Sequence, residues 1–478
     1  MPTRKLYEVI AAEIDESIRK GVLRAGDRLP SVRHLSGSRG VSPSTVFQAY
    51  YLLEGRGLLR ARERSGYFVA PCGGKQPPQA VARSEPSGES MDLDVSDMIF
   101  RILDANPRND RAGLGSAFPS PLLFPQDRLG QVLAASARTL DPWSSVDDLS
   151  TGNLALRRQI ARRYMADGMT VSADEIVITN GALEAINVCL AAVARPGEAV
   201  ILECPCFHAA LQTLERMAIR AIHVPTHPGD GIDLGALEQA IVRNKPKACL
   251  LMSTFQNPLG SVMPERQKQL LAQLLQTHEL PLIEDDVYGE LHFTDRRPPA
   301  IKAFDTQGLV LHCSSFSKWL APWYRIGWTV PGRFQDAVVR QKLTLNLSTC
   351  GPTQLALASY LERGGADKHL RRLRQTLARQ QQRLLLAIGE HFPDGTRVTK
   401  PLGGYMLWVE LPEHIDTLKL HGAALARGIV VAPGPIFTGD RQFRNCLRMN
   451  YGHPWSDGTE AAMEELARLM QDPSVRAS

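Results

Sequence analysis

No run of about 18 apolar residues occurs in the 478-residue chain, which argues against a membrane-spanning helix. The first 25 residues alternate charged and apolar groups and lack the apolar core of a secretory leader, so a cytoplasmic location is the expectation. Cysteine is sparse and scattered: Cys72, Cys189, Cys204, Cys206, Cys249, Cys313, Cys350 and Cys446 do not form the spacing of a disulfide framework. Cys204 and Cys206 make a lone C-x-C with no second pair at metal spacing, so zinc is not expected. Most of the chain also lacks an excess of either charge. It holds 55 Lys/Arg and 50 Asp/Glu; residues 1–70 hold 12 and 7 of these, leaving 43 of each sign in residues 71–478. All the surplus positive charge therefore lies in the first seventh, which favours a polyanion partner there.

What is present is ordinary globular material, 44% hydrophobic and 22% charged, long enough for two or three domains. Leu6, Val9, Ile10, Ile14 and Ile18 follow helical spacing, ended by Gly21 and the Gly26-Asp27 turn. Ser31 opens a second helix, and Gly40-Val41-Ser42-Pro43-Ser44 turns into a third through Thr45, Val46, Ala49, Tyr50 and Leu53. Leu58-Leu59-Arg60 and Tyr67-Phe68-Val69 read as two short strands. Three helices and a hairpin over residues 1–70 make a winged helix-turn-helix layout. Pro and Gly interrupt any period over 71–92, which reads as a flexible linker. From 93 to 478, short apolar runs at 175–179, 199–203, 248–254, 281–284 and 309–313 alternate with helical patterns. They predict an α/β domain with a mainly parallel sheet, whose ligands bind beyond the carboxyl ends of the strands.

The chemistry-bearing residues lie at those ends. Ser315 and Ser317 precede Lys318, and Arg325 follows seven residues later. Two hydroxyls and an arginine suit a phosphate, and a buried lysine of lowered basicity can attack a carbonyl. Asp285 ends another strand, where a buried carboxylate can keep a pyridine nitrogen protonated, and Tyr288 stands three residues on. Asn257 can donate to the same ring's oxygen. Gly181, Ala182 and Leu183 open a helix whose free N–H groups face an anion. Phe207 can stack on a ring or fill the core. Together these residues describe a pyridoxal 5′-phosphate (PLP) site with Lys318 as Schiff-base lysine.

In this order the motifs Asn257-Pro258-x-Gly260, Asp285-x-x-Tyr288, Ser315-x-Ser317-Lys318 with Arg325, Gly403-Gly404-Tyr405 and Pro433-Gly434 resemble fold-type I PLP enzymes of the aminotransferase class. The resemblance implies a large domain with a mainly parallel sheet and a small C-terminal α+β subdomain. It also implies a carboxylate-binding role for Arg448. Trp323, Leu259 and Phe207 depart from common family residues, as does Asp147, where a partner-subunit tyrosine often stands in relatives. Residues 6–69 resemble the winged helix of GntR-type repressors. There Arg33 would meet the phosphate backbone, Ser44, Thr45 and Gln48 the major groove, and Arg62, Arg64 and Gly66 of the wing the minor groove or phosphates.

Joined, the two halves resemble the MocR subfamily of GntR regulators. That implies a head-to-tail homodimer on double-stranded promoter DNA whose PLP domain senses PLP, an amino acid or an amine. Two other readings remain open: a working aminotransferase with an appended DNA-binding module, and a DNA-binding protein whose C-terminal domain is structural and cofactor-free.

Overall fold

The computed structural model describes residues 5–477 apart from 25, 56–57, 63–65, 70–75, 81–83, 105–111, 144–145 and 147. The expected Arg64 contact and the departure at Asp147 lie outside the described residues, as does the side chain of Arg62. Among the described residues, no helix is long and apolar enough to cross a membrane.

The N-terminal unit has helices Leu6–Arg19, Val32–Arg39 and Pro43–Gly55, followed by the antiparallel hairpin Leu59–Arg62 and Gly66–Val69. Ser31 caps the second helix by accepting from the His34 N–H at 3.2 Å, and Gly40 ends it at φ 62°, a conformation that suits glycine. Ile10, Ala11, Ile18, Val46, Ala49, Tyr50 and Leu53 form its core with Leu59 and Val69 of the hairpin. The Tyr50 hydroxyl donates to the Pro30 carbonyl at 2.7 Å, so burying this phenol leaves no unsatisfied group.

The larger unit is built on a nine-stranded sheet. Its centre is parallel, in the order Arg220–His227, Ala199–Cys204, Ala248–Leu251, Leu282–Asp285, Val310–Ser315. Gly327–Val330 then runs antiparallel, and Val177–Thr179 pairs antiparallel to it. Two reversals restore the original direction, so Thr179 ends at the same edge as Ser315 and Asp285. The mainly parallel α/β fold is thus the one observed, with antiparallel strands at the margins. A second sheet, Arg397–Val398, Met406–Glu410, Cys446–Asn450 and Ala432–Pro433, is antiparallel and forms the small C-terminal subdomain with the helices Gly365–His391 and Asp457–Gln471.

Two expectations change in detail. The strand anticipated from 175 begins at Val177, because Ser172 caps a 3-10 turn at Ala173–Glu175. The described part of the 71–92 stretch is also fixed rather than free. The Ala80 N–H donates to Val398, Ser84 is buried between Cys204 and Thr226, and Ser90–Met91 pairs with the strand Arg220–His227. Pro and Gly removed the periodicity, yet extended backbone needs no periodicity to join a sheet edge.

Candidate active site

The carboxyl edge of the sheet gathers the side chains that sequence reasoning singled out. Lys318 follows the strand Val310–Ser315 by three residues. Its Nζ donates to the Ala117 carbonyl at 3.1 Å and lies 4.0 Å from the centroid of the Phe118 ring. Burial pushes its ammonium down to about 7; Asp285 opposes that shift, and Arg448 and Arg325 add to it. Asp285, at the end of its own strand, is buried. Desolvation and then the neighbouring Asp286 push its carboxyl up to about 7, and its Oδ1 has no hydrogen-bond partner. An orphaned buried carboxylate oxygen is costly unless a donor arrives, and a protonated pyridine nitrogen is such a donor.

At the other end of the site, Arg325 donates to the Ser317 Oγ at 2.9 Å, and the Ser317 N–H donates to the Ser315 Oγ at 3.3 Å. Gly181, with φ 86°, precedes the helix Ala182–Val193, whose first N–H groups, on Ala182 and Leu183, have no partner within the helix. A Cβ on Gly181 would sit 2.5 Å from the Arg325 guanidinium, so glycine keeps this cradle open. Two hydroxyls, a guanidinium and a helix N-terminus fit a phosphate dianion.

Between the ends lie Asn257, Tyr288, Phe207 and Arg448. Asn257 and Tyr288 are buried, and Tyr288 meets Tyr405 edge-on at 5.4 Å. Burial pushes the Tyr288 phenol up to about 12, so it is a proton-bearing donor at neutral pH. Phe207 is half-buried against the core and lies 4.8 Å from the His208 ring. Arg448 alternates with the core residues Leu447 and Met449, which turns it to the pocket side of its strand. It is fully buried, donates to the Asn257 Oδ1 at 3.3 Å and the Gly115 carbonyl at 2.7 Å, and keeps a free Nε. Burial lowers it to about 10, with only the phenols of Tyr288 and Tyr405 opposing. The pocket thus brings the basic groups of Lys318, Arg325 and Arg448 together around the carboxyl of Asp285. Anionic groups such as a phosphate and a ligand carboxylate would find partners among them.

The sequence reading missed the segment that covers this pocket. The carbonyls of Gly115 and Ala117 receive Arg448 and Lys318, Tyr405 also donates to Ala117 at 3.1 Å, and Asn450 ties down the carbonyls of Ser116 and Phe118. Its contribution is mainly backbone, which side-chain motifs do not reveal; the Gly113-Leu114-Gly115 run before Pro119 was the available signal. Trp323 is half-exposed at the rim and meets Phe124 edge-on at 6.0 Å.

The residues expected to meet DNA form a separate set. Arg33, Ser44 and Gln48 are exposed and Thr45 is half-buried. The Ser44 and Thr45 hydroxyls lie 2.7 and 2.8 Å from the Ser42 Oγ at the start of the third helix. Gly66 has φ 97° and packs near the Arg28 side chain.

Comparison with known proteins agrees with both halves. Residues 149–468 match the family described as Aminotransferase class I and II, and residues 6–69 match Bacterial regulatory proteins, gntR family. The uncharacterized HTH-type transcriptional regulator YdcR of Escherichia coli (strain K12) is 43% identical over 468 residues, which cover 98% of this chain and 99% of the relative. YjiR of the same organism, also an uncharacterized HTH-type transcriptional regulator, is 37% identical over 97% of this chain and 98% of its own length. Among solved structures, LysN, an alpha-aminoadipate aminotransferase from Thermus thermophilus, superposes with TM-score 0.71 at 27% identity, over 78% of this chain and 94% of that one. The fold and site define a class I and II aminotransferase domain, whose cofactor is PLP. The chain belongs to the MocR-like family of GntR-type transcriptional regulators, in which that domain follows a winged helix-turn-helix.

The depressed Lys318 ammonium makes a prediction of its own. Only the neutral amine attacks an aldehyde, and its fraction rises as pH passes the amine's pKa. Capture of PLP by the cofactor-free protein is expected to accelerate through a midpoint near pH 7 and to slow about tenfold per unit well below it. Stopped-flow absorbance from pH 5.5 to 9 checks this; a midpoint above 9 would mean that the lysine is not desolvated.

Proposed function

We propose that this protein is a PLP-dependent DNA-binding transcriptional regulator, in which Lys318 holds PLP and the pocket senses PLP itself or an amino compound. PLP supplies an electrophilic carbonyl and an electron-withdrawing ring. Around it, Arg325, Ser315, Ser317 and the N–H groups of Gly181, Ala182 and Leu183 would hold the phosphate. Asp285 would accept from the ring nitrogen, Asn257 and Tyr288 would donate to the ring oxygen, and Phe207 would lie against the ring face. Arg448 would hold an effector carboxylate. The observation that carries this reading is the coexistence in one chain of a winged helix-turn-helix whose third helix leaves Ser44 and Gln48 exposed and a pocket that brings Lys318, Arg325 and Arg448 together around Asp285.

A head-to-tail homodimer belongs to the same proposal. Trp143, Val146, Leu149 and Leu347 are exposed, and the Ser150 N–H donates to the Leu347 carbonyl, which brings the neighbouring Leu149 and Leu347 toward one exposed face. Such a face favours burial against a second copy. Action on double-stranded DNA in the cytoplasm completes the reading, with 1–70, 71–92 and 93–478 as head, connection and sensor.

An aminotransferase reading keeps one specific support: Lys318 and Asp285, the groups a proton-shuttling transaminase needs, are both in place. The two readings separate in one experiment, a mobility shift with DNA flanking the protein's own gene, run alongside steady-state assays over a panel of amino acids and keto acids. Binding that weakens steeply with salt and shifts with an amino compound is expected. No shift at low salt, together with steady turnover in the usual range of about 1–10³ s⁻¹, would favour the enzyme.

A further inference from the structure

Helix Gly365–His391 buries Leu370, Leu373, Leu377, Leu384, Leu385 and Ile388 against the C-terminal domain. Its opposite face carries Lys368, Arg372 and Arg379, all exposed. At 100° per residue these three fall within about 40° of one another, in a line about 16 Å long. Lys368 and Arg372 have no ion-pair partner among the described residues, and nor does the adjacent Arg371. Arg374, set toward the inner side, is paired with Glu290 at 3.3 Å, and Asp367 beside the line is taken up by Arg163 at 3.2 Å.

The line ends at the DNA-reading head. The Arg379 guanidinium carbon lies 5.4 Å from the centroid of the Tyr51 ring. Tyr51 belongs to helix Pro43–Gly55, whose inward side is Val46, Ala49, Tyr50 and Leu53 and whose outward side is Ser44, Phe47, Gln48 and Tyr51. The exposed cations therefore begin where the outward face of the reading helix stops. In a helix-turn-helix complex the N-terminal turn of that helix meets base edges, and the duplex backbone passes beyond it. A duplex carries one negative charge per about 1.7 Å of its axis, so a line of this length faces several phosphates.

We infer that Lys368, Arg372 and Arg379 form a second DNA-contact surface on the sensor domain, which takes the phosphate backbone of the duplex beyond the bases read by the winged helix. The inference rests on the DNA-binding reading above and deepens it. The sensor domain contributes directly to affinity, and any shift between it and the head changes how many phosphates are neutralised at once. Contacts of this kind fix position and orientation and are insensitive to base sequence.

The test uses the full chain and a fluorescent 40-base-pair duplex of mixed sequence, with affinity measured across a salt series. Lys368→Gln/Arg372→Gln is the variant: both side chains are exposed and unpaired, whereas Arg379 packs on Tyr51 and is left intact. Arg195→Gln/Arg340→Gln, elsewhere on the sensor domain, is the control of equal charge change. The variant is expected to flatten the slope of log K against log salt by about 1.8 and to weaken binding at low salt at least about tenfold, with the control unchanged. An unchanged slope in the variant, or an equal loss in the control, overturns the inference. Tighter binding by Lys368→Glu/Arg372→Glu also overturns it, because the helix would then be shielding the head. A wild-type chain that binds no duplex at low salt overturns the DNA-binding reading itself, and this inference with it.

Discussion

Lys318→Ala is expected to abolish covalent capture of PLP completely. After incubation with the cofactor and reduction by borohydride, the wild-type chain should gain one cofactor mass on the peptide containing Lys318, and the variant none. The phosphate contacts proposed for Arg325, Ser315 and Ser317 would be untouched by the substitution, so the variant should still bind PLP reversibly and more weakly. The competing site is Lys268, also buried and lowered to about 8 by desolvation. It is held by Thr254 Oγ1 and the Pro299 carbonyl, both at 2.7 Å, with Glu284 nearby to keep it charged. Lys318 has a single carbonyl partner and faces the phosphate cradle and the orphaned Asp285 oxygen. A cofactor mass on Lys268, or one retained by Lys318→Ala, would refute the assignment.

Much of this site was legible in the sequence because the sheet is parallel. Parallel strands deliver their carboxyl ends to one edge, so motifs at 257, 285 and 315–318 converge without any knowledge of distances. Thr179 and Ser315 reach the same edge through Gly327, by two antiparallel pairings that periodicity does not specify. What stayed hidden depends on backbone groups and long-range packing. The carbonyls of Gly115 and Ala117 act as acceptors irrespective of their side chains. The attachments at residues 79–80 and 90–91 are a matter of extended backbone finding an edge. The line of Lys368, Arg372 and Arg379 was present as spacing, but its meaning came from the position of Tyr51, more than 300 residues away in the chain.

Arg448 should give the second large effect, and with opposite signs in two measurements. It is a fully buried guanidinium that donates to an amide oxygen and a backbone carbonyl and lies 5.3 Å from the centroid of the Phe437 ring, with no ion-pair partner among the described residues. Holding a charge there costs several kcal/mol relative to water, and its lowering to about 10 reflects that cost. An effector carboxylate would repay it with a charge-assisted, forked contact. Truncation to Met should therefore weaken binding of a carboxylate-bearing amino compound by about 2–5 kcal/mol, or roughly 30-fold to several thousand-fold, because the ligand's charge is left buried and unpaired. Amines without a carboxylate should be far less affected. The ligand-free protein should meanwhile melt no lower than the wild type, since an apolar side chain of similar length removes an uncompensated charge from the core. Spectral titration of the PLP-loaded protein with amino acids and matched amines, together with calorimetry of the cofactor-free form, reads both signs. A structural role for Arg448 predicts a lower melting temperature and equal losses for both ligand classes, so that result would remove Arg448 from the effector site.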